Sequence, residues 1–125
     1  MITLSKDQII QLHSIQINTT GGLNGLRDDA LLDSALSSAF QTFGGVDIFP
    51  SVIAKIARIA YGLVNNHPFV DGNKRIGTYV MLVLLELNNI FIDFTDDDII
   101  RIGLSLADGS MSDTQLFELL FDRSK

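Results

Sequence analysis

One nine-residue segment carries most of the side chains in this sequence that could do chemistry. Residues 67–75 read HPFVDGNKR and begin with a histidine, His67. A histidine titrates near neutral pH and can take a proton from an attacking hydroxyl group. Asp71 supplies a hard oxygen ligand of the kind that magnesium commonly takes when it is bound to phosphates. A base, a metal ligand and two cations this close together predict phosphoryl or nucleotidyl transfer.

The second half of the segment predicts a binding site for an anion. It is expected to begin a helix, and a helix N-terminus presents unpaired backbone N–H groups and the positive end of the helix dipole. Gly72 lets a ligand approach the backbone closely, Asn73 adds an amide donor, and Lys74 and Arg75 add two positive charges. Two cations at that end of a helix oppose its dipole unless an anion joins them. We therefore predict that residues 72–75 hold phosphate oxygens.

Each of these residues also has an ordinary structural interpretation. A histidine before a proline is usually a turn residue, an aspartate at a helix start is usually a cap, and a Lys-Arg pair in a first turn is usually solvated. Their occurrence within one short segment favours a functional site. The sequence has no P-loop pattern, no G-x-G-x-x-G pattern and no set of protein-kinase signatures. Phosphoryl chemistry would therefore need another scaffold.

The elements that must hold this segment are predicted to be helices. Apolar residues recur at three- and four-residue steps through nearly the whole chain, which is the period of an amphipathic helix. The fourth helix is apolar nearly all round, which is typical of a helix at the centre of a bundle. Caps and breakers predict helices that begin after a capping box at Ser5, near Asp28, at Pro50-Ser51, between 71 and 73, after Thr95 and after Ser112.

The connections between these helices are predicted to be short. Residues 21–25 form a glycine-rich loop, and Gly44-Gly45 ends the second helix, which we place at about 28–42. Residues 46–50 form a connector or flap, and residues 90–94 form a short extended piece. Outside the segment, His13 is expected to be a surface or packing residue. Arg27 is expected to pair with a nearby aspartate rather than to contact a substrate or nucleotide. The predicted fold is an all-α bundle of about six helices with a short flap.

Composition limits the class of protein. A chain of 125 residues suits a single domain, 1–125, and 46% hydrophobic residues suffice for a core. The absence of cysteine excludes disulfides, zinc–cysteine sites and thiol catalysis, and it fits a reducing cytosol. A net charge of −6 argues against nucleic-acid binding. We find neither a signal-peptide pattern nor an apolar run near the ~20 residues that span a bilayer, so a cytoplasmic protein without membrane contact is expected.

Residues 67–75 resemble the signature of the Fic superfamily, H-x-F-x-(D/E)-G-N-(G/K)-R, at every fixed position. The lysine at the variable position is typical of the death-on-curing (Doc) toxins, whereas adenylyltransferases of the superfamily have glycine there. The similarity extends to GGLNGLRD at 21–28, to LELNN at 85–89, to residues 107–109 and to the chain length. It covers nearly the whole chain and implies a Fic-fold helical bundle.

The resemblance implies a role for each residue of the signature. His67 would be the catalytic base that activates the target hydroxyl, Phe69 would anchor the loop in the core, and Asp71 would bind Mg²⁺. The phosphates of ATP would be held by the backbone and side chains of Gly72, Asn73, Lys74 and Arg75.

The resemblance also implies an activity and two partners. Doc toxins phosphorylate a threonine of elongation factor Tu and so stop translation. A lysine at position 74 would crowd the anion hole of adenylyltransferases, and the nucleotide would bind reversed, with its γ-phosphate toward the target. Thr78 stands where adenylyltransferases have a second arginine, and the inhibitory element S/T-x-x-x-E-G/N is not evident. The implied partners are therefore a protein substrate and a separate, cognate antitoxin.

Three alternatives stay open at this point. The same residues could transfer AMP instead of phosphate. The phosphate site could be structural in a catalytically silent module that binds an antitoxin-like partner. The chain could also be a plain helical domain without a ligand.

Overall fold

Side-chain caps define where five of the six helices in residues 1–124 begin. In the computed structural model, which describes residues 1–124, the hydroxyl or carboxylate of each cap accepts a hydrogen bond from a backbone N–H in the first turn. The caps are Ser5, Asp28, Ser51, Thr95 and Ser112. The helices are α1 (Lys6–Thr20), α2 (Asp29–Ser37), α3 (Val52–Asn65), α4 (Asn73–Leu87), α5 (Asp96–Asp108) and α6 (Asp113–Arg123).

Helices α3 and α4 form the centre of the bundle. α3 packs against α2, α4, α5 and α6, and α4 also packs against α1 and α5. The two central helices approach closely at Gly77, where a Cβ atom would lie 2.5 Å from Cγ2 of Val64. The predicted all-α bundle with a buried fourth helix is confirmed. The third helix shares that central position.

The second helix is shorter than predicted because its apolar pattern continues into a hairpin. α2 ends at Ser37, a 3₁₀ turn covers Ser38–Phe40, and β1 (Thr42–Phe43) pairs antiparallel with β2 (Val46–Asp47). Gly44 and Gly45 have positive φ angles of 58° and 80° and form the hairpin turn instead of ending a helix. Phe43 continues the helical spacing of the sequence but lies in a strand, where aromatic and β-branched residues are also favoured.

The predicted flap, residues 46–50, is fixed to the bundle by Lys55 of α3. The buried ammonium group of Lys55 lies 3.1 Å from a carboxylate oxygen of Asp47 and donates to the carbonyl of Phe49. The guanidinium carbon of Arg58 lies 5.6 Å from the ring centroid of Phe49. The hairpin side chains Phe43 and Val46 are 83% and 68% exposed. The flap is therefore fixed to α3 at Asp47 and Phe49, whereas the hairpin side chains before them are exposed to solvent.

Two further predictions concern the rest of the chain. Residues 90–94 connect α4 to α5 and form no strand in the part that the structure describes. Lys125, the last residue of the predicted domain 1–125, lies outside the described residues. Within residues 1–124, no helix combines the length and apolarity needed to cross a membrane.

An ion pair ties α6 to the first turn of α5. Nη1 of Arg123 lies 2.9 Å from Oδ2 of Asp98, and the same carboxylate accepts a hydrogen bond from the backbone N–H of Thr95 at 3.0 Å. These contacts, with Arg123 as the largest cause, lower the pKa of Asp98 from 3.8 to about 2.

We expect the contribution of Asp98 to stability to disappear in acid. Because its pKa is lower in the folded state, the contribution is complete above the ordinary value of 3.8 and is lost as the pH falls to about 2. Asp98→Asn should therefore lower the free energy of unfolding in urea at about pH 6 and change it much less at about pH 2.5. Asp97→Asn is the control, since the Asp97 side chain has no hydrogen-bond partner among residues 1–124. An equal effect of Asp98→Asn at both pH values would contradict this account.

Candidate active site

The signature loop, residues 67–72, is braced by the buried amide of Asn73. Oδ1 of Asn73 accepts a hydrogen bond from the backbone N–H of Phe69, and Nδ2 donates to the carbonyl of Phe69, both at 3.0 Å. Phe69 is only 1% exposed and anchors the loop in the core. We predicted Asn73 as a phosphate donor. In the structure, its side chain holds the loop, and its backbone N–H remains for a ligand.

The glycine-rich segment of residues 21–28 pairs with the signature loop through the backbone. Leu26 and Phe69 form an antiparallel bridge, and the carbonyl of Pro68 accepts hydrogen bonds from the N–H groups of Arg27 at 2.7 Å and Asp28 at 3.0 Å. These contacts join residues about forty positions apart. Two of the segments that carry the family resemblance, residues 21–28 and the signature loop, thus form one unit.

His67 is exposed and is held by backbone carbonyl groups. Its φ angle of 49° lies in the left-handed region, which non-glycine residues rarely adopt. Nδ1 of His67 lies 3.2 Å from the carbonyl oxygen of Asn65. Because a carbonyl can only accept, Nδ1 donates in this contact, and in the neutral ring Nε2 is then the proton acceptor. This is the tautomer that a general base needs.

Arg27 does not form the expected salt bridge to an aspartate. Its guanidinium donates to the carbonyl oxygens of His67 at 2.7 Å and Asn66 at 3.0 Å, and no carboxylate of residues 1–124 pairs with it. The neighbouring Asp28 is used instead as the cap of α2, where it accepts from the N–H of Leu31 at 3.0 Å. Arg27 therefore stabilises the backbone conformation at Asn66 and His67.

Two backbone N–H groups orient the carboxylate of Asp71. Oδ2 accepts a hydrogen bond from Leu23 at 3.1 Å, and Oδ1 accepts one from Gly72 at 2.8 Å. These bonds, with that of Leu23 the larger cause, lower the pKa of Asp71, and the nearby charge of Arg75 adds to the effect. The carboxylate is ionised at neutral pH and keeps lone pairs for a cation. No group of three or more His, Asp or Glu residues within 1–124 could hold a metal ion, so a metal at Asp71 would take further ligands from phosphate or water.

Helix α4 is the helix within residues 1–124 that begins without a side-chain cap. Its N-cap is Gly72, whose φ angle of 76° is left-handed. The N–H groups of the first turn, at residues 73–75, therefore remain available to an anion. Lys74 is exposed, and its ammonium group forms no hydrogen bond or ion pair within the described chain. Arg75 donates to the hydroxyl of Thr20 and, at 3.1 Å, to the carbonyl of Gly21.

The cations without a carboxylate partner collect around this loop. Four cations of residues 1–124 form ion pairs with aspartates: Lys6, Lys55, Arg58 and Arg123. Four others in the same part of the chain form none: Arg27, Lys74, Arg75 and Arg101. Of this second group, Arg27 contacts the signature loop, and Lys74 and Arg75 lie in the first turn of α4, directly after the loop. In a chain with a net charge of −6, this distribution leaves local positive charge for an anionic ligand.

His13 contacts the loop, although its sequence context indicated only a surface or packing residue. It is 1% exposed, its ring stacks on Phe69 with the centroids 3.8 Å apart, and Nε2 lies 2.7 Å from the carbonyl oxygen of Asp71. The packing interpretation is the correct one of the two. The available signal was its spacing, because Ile9, His13 and Ile17 occur at four-residue steps and all three are buried.

Comparison with known proteins decides the family. Residues 3–85 match the Fic/DOC family. This range makes up about two thirds of the chain and includes both paired segments. The chain belongs to the Fic/DOC family. It is 33% identical over 87 residues to the protein named Toxin Doc of Mycolicibacterium smegmatis. That alignment covers 70% of this chain and 65% of the toxin, so the chain matches slightly less than two thirds of the length of its relative. The predicted Fic/Doc resemblance is confirmed.

Gly22 gives a test of how this Fic/DOC site is positioned. Its φ angle is +118°, and a Cβ atom there would lie 2.8 Å from Oδ2 of Asp71 and 3.1 Å from Nη2 of Arg75. Gly22→Ala should displace both charged groups and lower any activity of the site roughly 10- to 100-fold, measured as the transfer rate from ATP. Gly109→Ala is the control: its φ angle is +83° and no heavy atom lies within 4 Å, so it adds backbone strain without crowding. Equal losses in the two variants would mean that strain, not displacement of Asp71, causes the effect.

Proposed function

We propose that this chain is a cytoplasmic toxin of a toxin–antitoxin pair that transfers phosphate from ATP to a protein hydroxyl. Membership of the Fic/DOC family and similarity to a protein named Toxin Doc support the assignment. The observation that carries it is the uncapped N-terminus of α4, with the free cation Lys74 on its first turn and the ionised Asp71 beside it. A threonine of elongation factor Tu is the proposed target.

In the proposed reaction, His67 acts as the general base. Nε2 of His67 takes the proton of the target hydroxyl as its oxygen forms a bond to the γ-phosphorus of ATP. The bond between that phosphorus and the β,γ-bridging oxygen breaks, and ADP leaves with the electron pair. The contact between Nδ1 and the carbonyl of Asn65 holds the ring in the required tautomer.

The phosphates are proposed to bind where α4 begins. The backbone N–H groups of residues 73–75 point along the helix axis toward the loop, and Lys74 adds an exposed positive charge. Arg75 keeps unused guanidinium donors beside its bonds to Thr20 and Gly21. Mg²⁺, when bound, would offset phosphate charge next to the carboxylate of Asp71.

Phosphate transfer is preferred to AMP transfer because of positions 74 and 78. Lysine at position 74 is the variant that resembles the Doc toxins. Thr78 is buried and its hydroxyl donates to the carbonyl of Lys74 at 3.0 Å, so it supplies no second cation for phosphate. AMP transfer by the same residues and a silent partner-binding module are the competing functions.

The test uses ATP labelled at two positions. The protein is incubated with Mg²⁺, purified elongation factor Tu or a bacterial extract, and ATP labelled on either the α- or the γ-phosphate. The proposal expects protein labelling from γ-labelled ATP alone. Labelling from α-labelled ATP would instead establish AMP transfer, and labelling from neither would favour the silent module. Intact mass of elongation factor Tu then shows whether it is the acceptor.

The proposed antitoxin is a separate chain. The sequence has no evident S/T-x-x-x-E-G/N element with which to inhibit itself. Co-expression with the product of the neighbouring gene should therefore restore growth to cells that this chain arrests. Growth arrest that persists with that product present would count against this partner.

A further inference from the structure

His13, which lies outside the signature, forms a hydrogen bond with the peptide unit between Asp71 and Gly72. His13 lies on the buried face of α1 and is 1% exposed. Nε2 lies 2.7 Å from the carbonyl oxygen of Asp71, and because a carbonyl only accepts, Nε2 is the donor. The ring of His13 also stacks on that of Phe69 at an interplanar angle of 10°.

The hydrogen bond of His13 acts on the same peptide unit that orients the carboxylate. That unit consists of the carbonyl of Asp71 and the N–H of Gly72, and its N–H donates to Oδ1 of Asp71 at 2.8 Å. A peptide unit is planar, so a rotation that broke the contact with His13 would also turn the N–H away from the carboxylate. Gly72 lies in the left-handed region with φ of 76° and offers little steric resistance to such a rotation.

We propose that His13 is a positioning residue for Asp71: by donating to the carbonyl of the Asp71–Gly72 peptide, it fixes the direction of the carboxylate and of the first turn of α4. This inference rests on the proposed function, because it concerns the site at which a magnesium-bound nucleotide would sit. The residue does not touch the reacting atoms. It acts through a backbone group, 58 positions away in the sequence.

Two substitutions separate the donor from the packing. His13→Phe keeps an aromatic ring that can stack on Phe69 but removes the donor to Asp71. His13→Gln places an amide N–H near the position of Nε2 but removes the stacking. If His13 served only to fill the core, His13→Phe would be the better tolerated of the two, because it conserves apolar volume. The positioning role predicts the opposite order for activity.

The experiment measures kcat and KM for Mg-ATP, the Mg²⁺ concentration for half-maximal rate, and the thermal midpoint of each variant. We expect His13→Phe to lower kcat roughly 10- to 100-fold and to raise the Mg²⁺ requirement while it unfolds near the wild-type temperature. His13→Gln should recover most of kcat despite a lower midpoint. Wild-type kcat in His13→Phe, or losses in both variants that follow their thermal midpoints, would overturn the proposal. If His13→Phe does not fold, His13→Met removes the same donor with a more adaptable side chain.

Calorimetric titration of Mg-ATP into each protein separates this inference from the proposed transfer reaction. If the wild type binds Mg-ATP but transfers nothing, the proposed function fails, and weaker binding by His13→Phe than by His13→Gln would still support positioning. Equal binding by the two variants would overturn it. Absence of Mg-ATP binding by the wild type would overturn both.

Discussion

Replacing His67 with alanine is expected to lower the rate of phosphate transfer by a factor of about 10²–10⁴. The reason is chemical rather than structural. His67 is exposed, and its ring makes one hydrogen bond, to the carbonyl of Asn65 at 3.2 Å. Removal of such a side chain changes the free energy of unfolding by roughly 0.5 kcal/mol or less. The transfer rate from γ-labelled ATP and the urea-unfolding curve together check this expectation.

His67→Gln is the matched control for this prediction. Glutamine can still donate a hydrogen bond to a carbonyl but cannot accept a proton at neutral pH. Both variants should bind Mg-ATP as the wild type does, because the proposed phosphate ligands are at residues 73–75. Wild-type transfer rates in both variants would show that no histidine base is used. A loss in His67→Ala with recovery in His67→Gln would mean that the side chain contributes a hydrogen bond rather than proton transfer.

The sequence predicted the helix starts well because caps are local signals. Ser5, Thr95 and Ser112 each form the predicted cap, and each is followed three residues later by a side chain that completes a capping box. The hairpin was missed because Phe43 extends the helical spacing of α2, and its strand pairing with Val46 depends on the turn between them. Local patterns thus predicted the starts of helices better than the end of α2, where the same apolar spacing continues into a hairpin.

The reactive residues of the candidate site could be recognised from the sequence because they are contiguous, and their roles in transfer stay predictions. The residues that support them could not be recognised in this way. Arg27 bonds to backbone carbonyl groups, which carry no signal in a sequence, and His13 reaches the carbonyl of Asp71 from another helix. Sequence indicates which side chains a site offers, whereas the direction of each side chain depends on contacts between distant segments.

Asn73 shows the same distinction within the signature itself. An asparagine beside a lysine and an arginine at a helix start suits phosphate, and we predicted that role from its type and position. In the structure its amide is buried, and both its oxygen and its nitrogen are used by the backbone of Phe69. The neighbouring Lys74, by contrast, is exposed, and its ammonium group has no partner within residues 1–124. The side chains of two adjacent residues of one motif are therefore placed differently: the amide of Asn73 is used within the fold, and the ammonium group of Lys74 is not.

Asn73→Ala is accordingly expected to destabilise the fold by about 2–4 kcal/mol, because it leaves the N–H and the carbonyl of buried Phe69 without partners. Lys74→Ala should change the free energy of unfolding by roughly 0.5 kcal/mol or less and should instead weaken Mg-ATP binding. Urea unfolding and calorimetric titration of both variants make the comparison. Asn73→Asp should fall between them in stability, since its carboxylate can accept from the N–H of Phe69 but cannot donate to the carbonyl. If Asn73→Ala kept wild-type stability but bound nucleotide more weakly, the amide of Asn73 would be a phosphate ligand and not a support of the loop. Loss of two hydrogen bonds that support a buried loop must lower the free energy of unfolding.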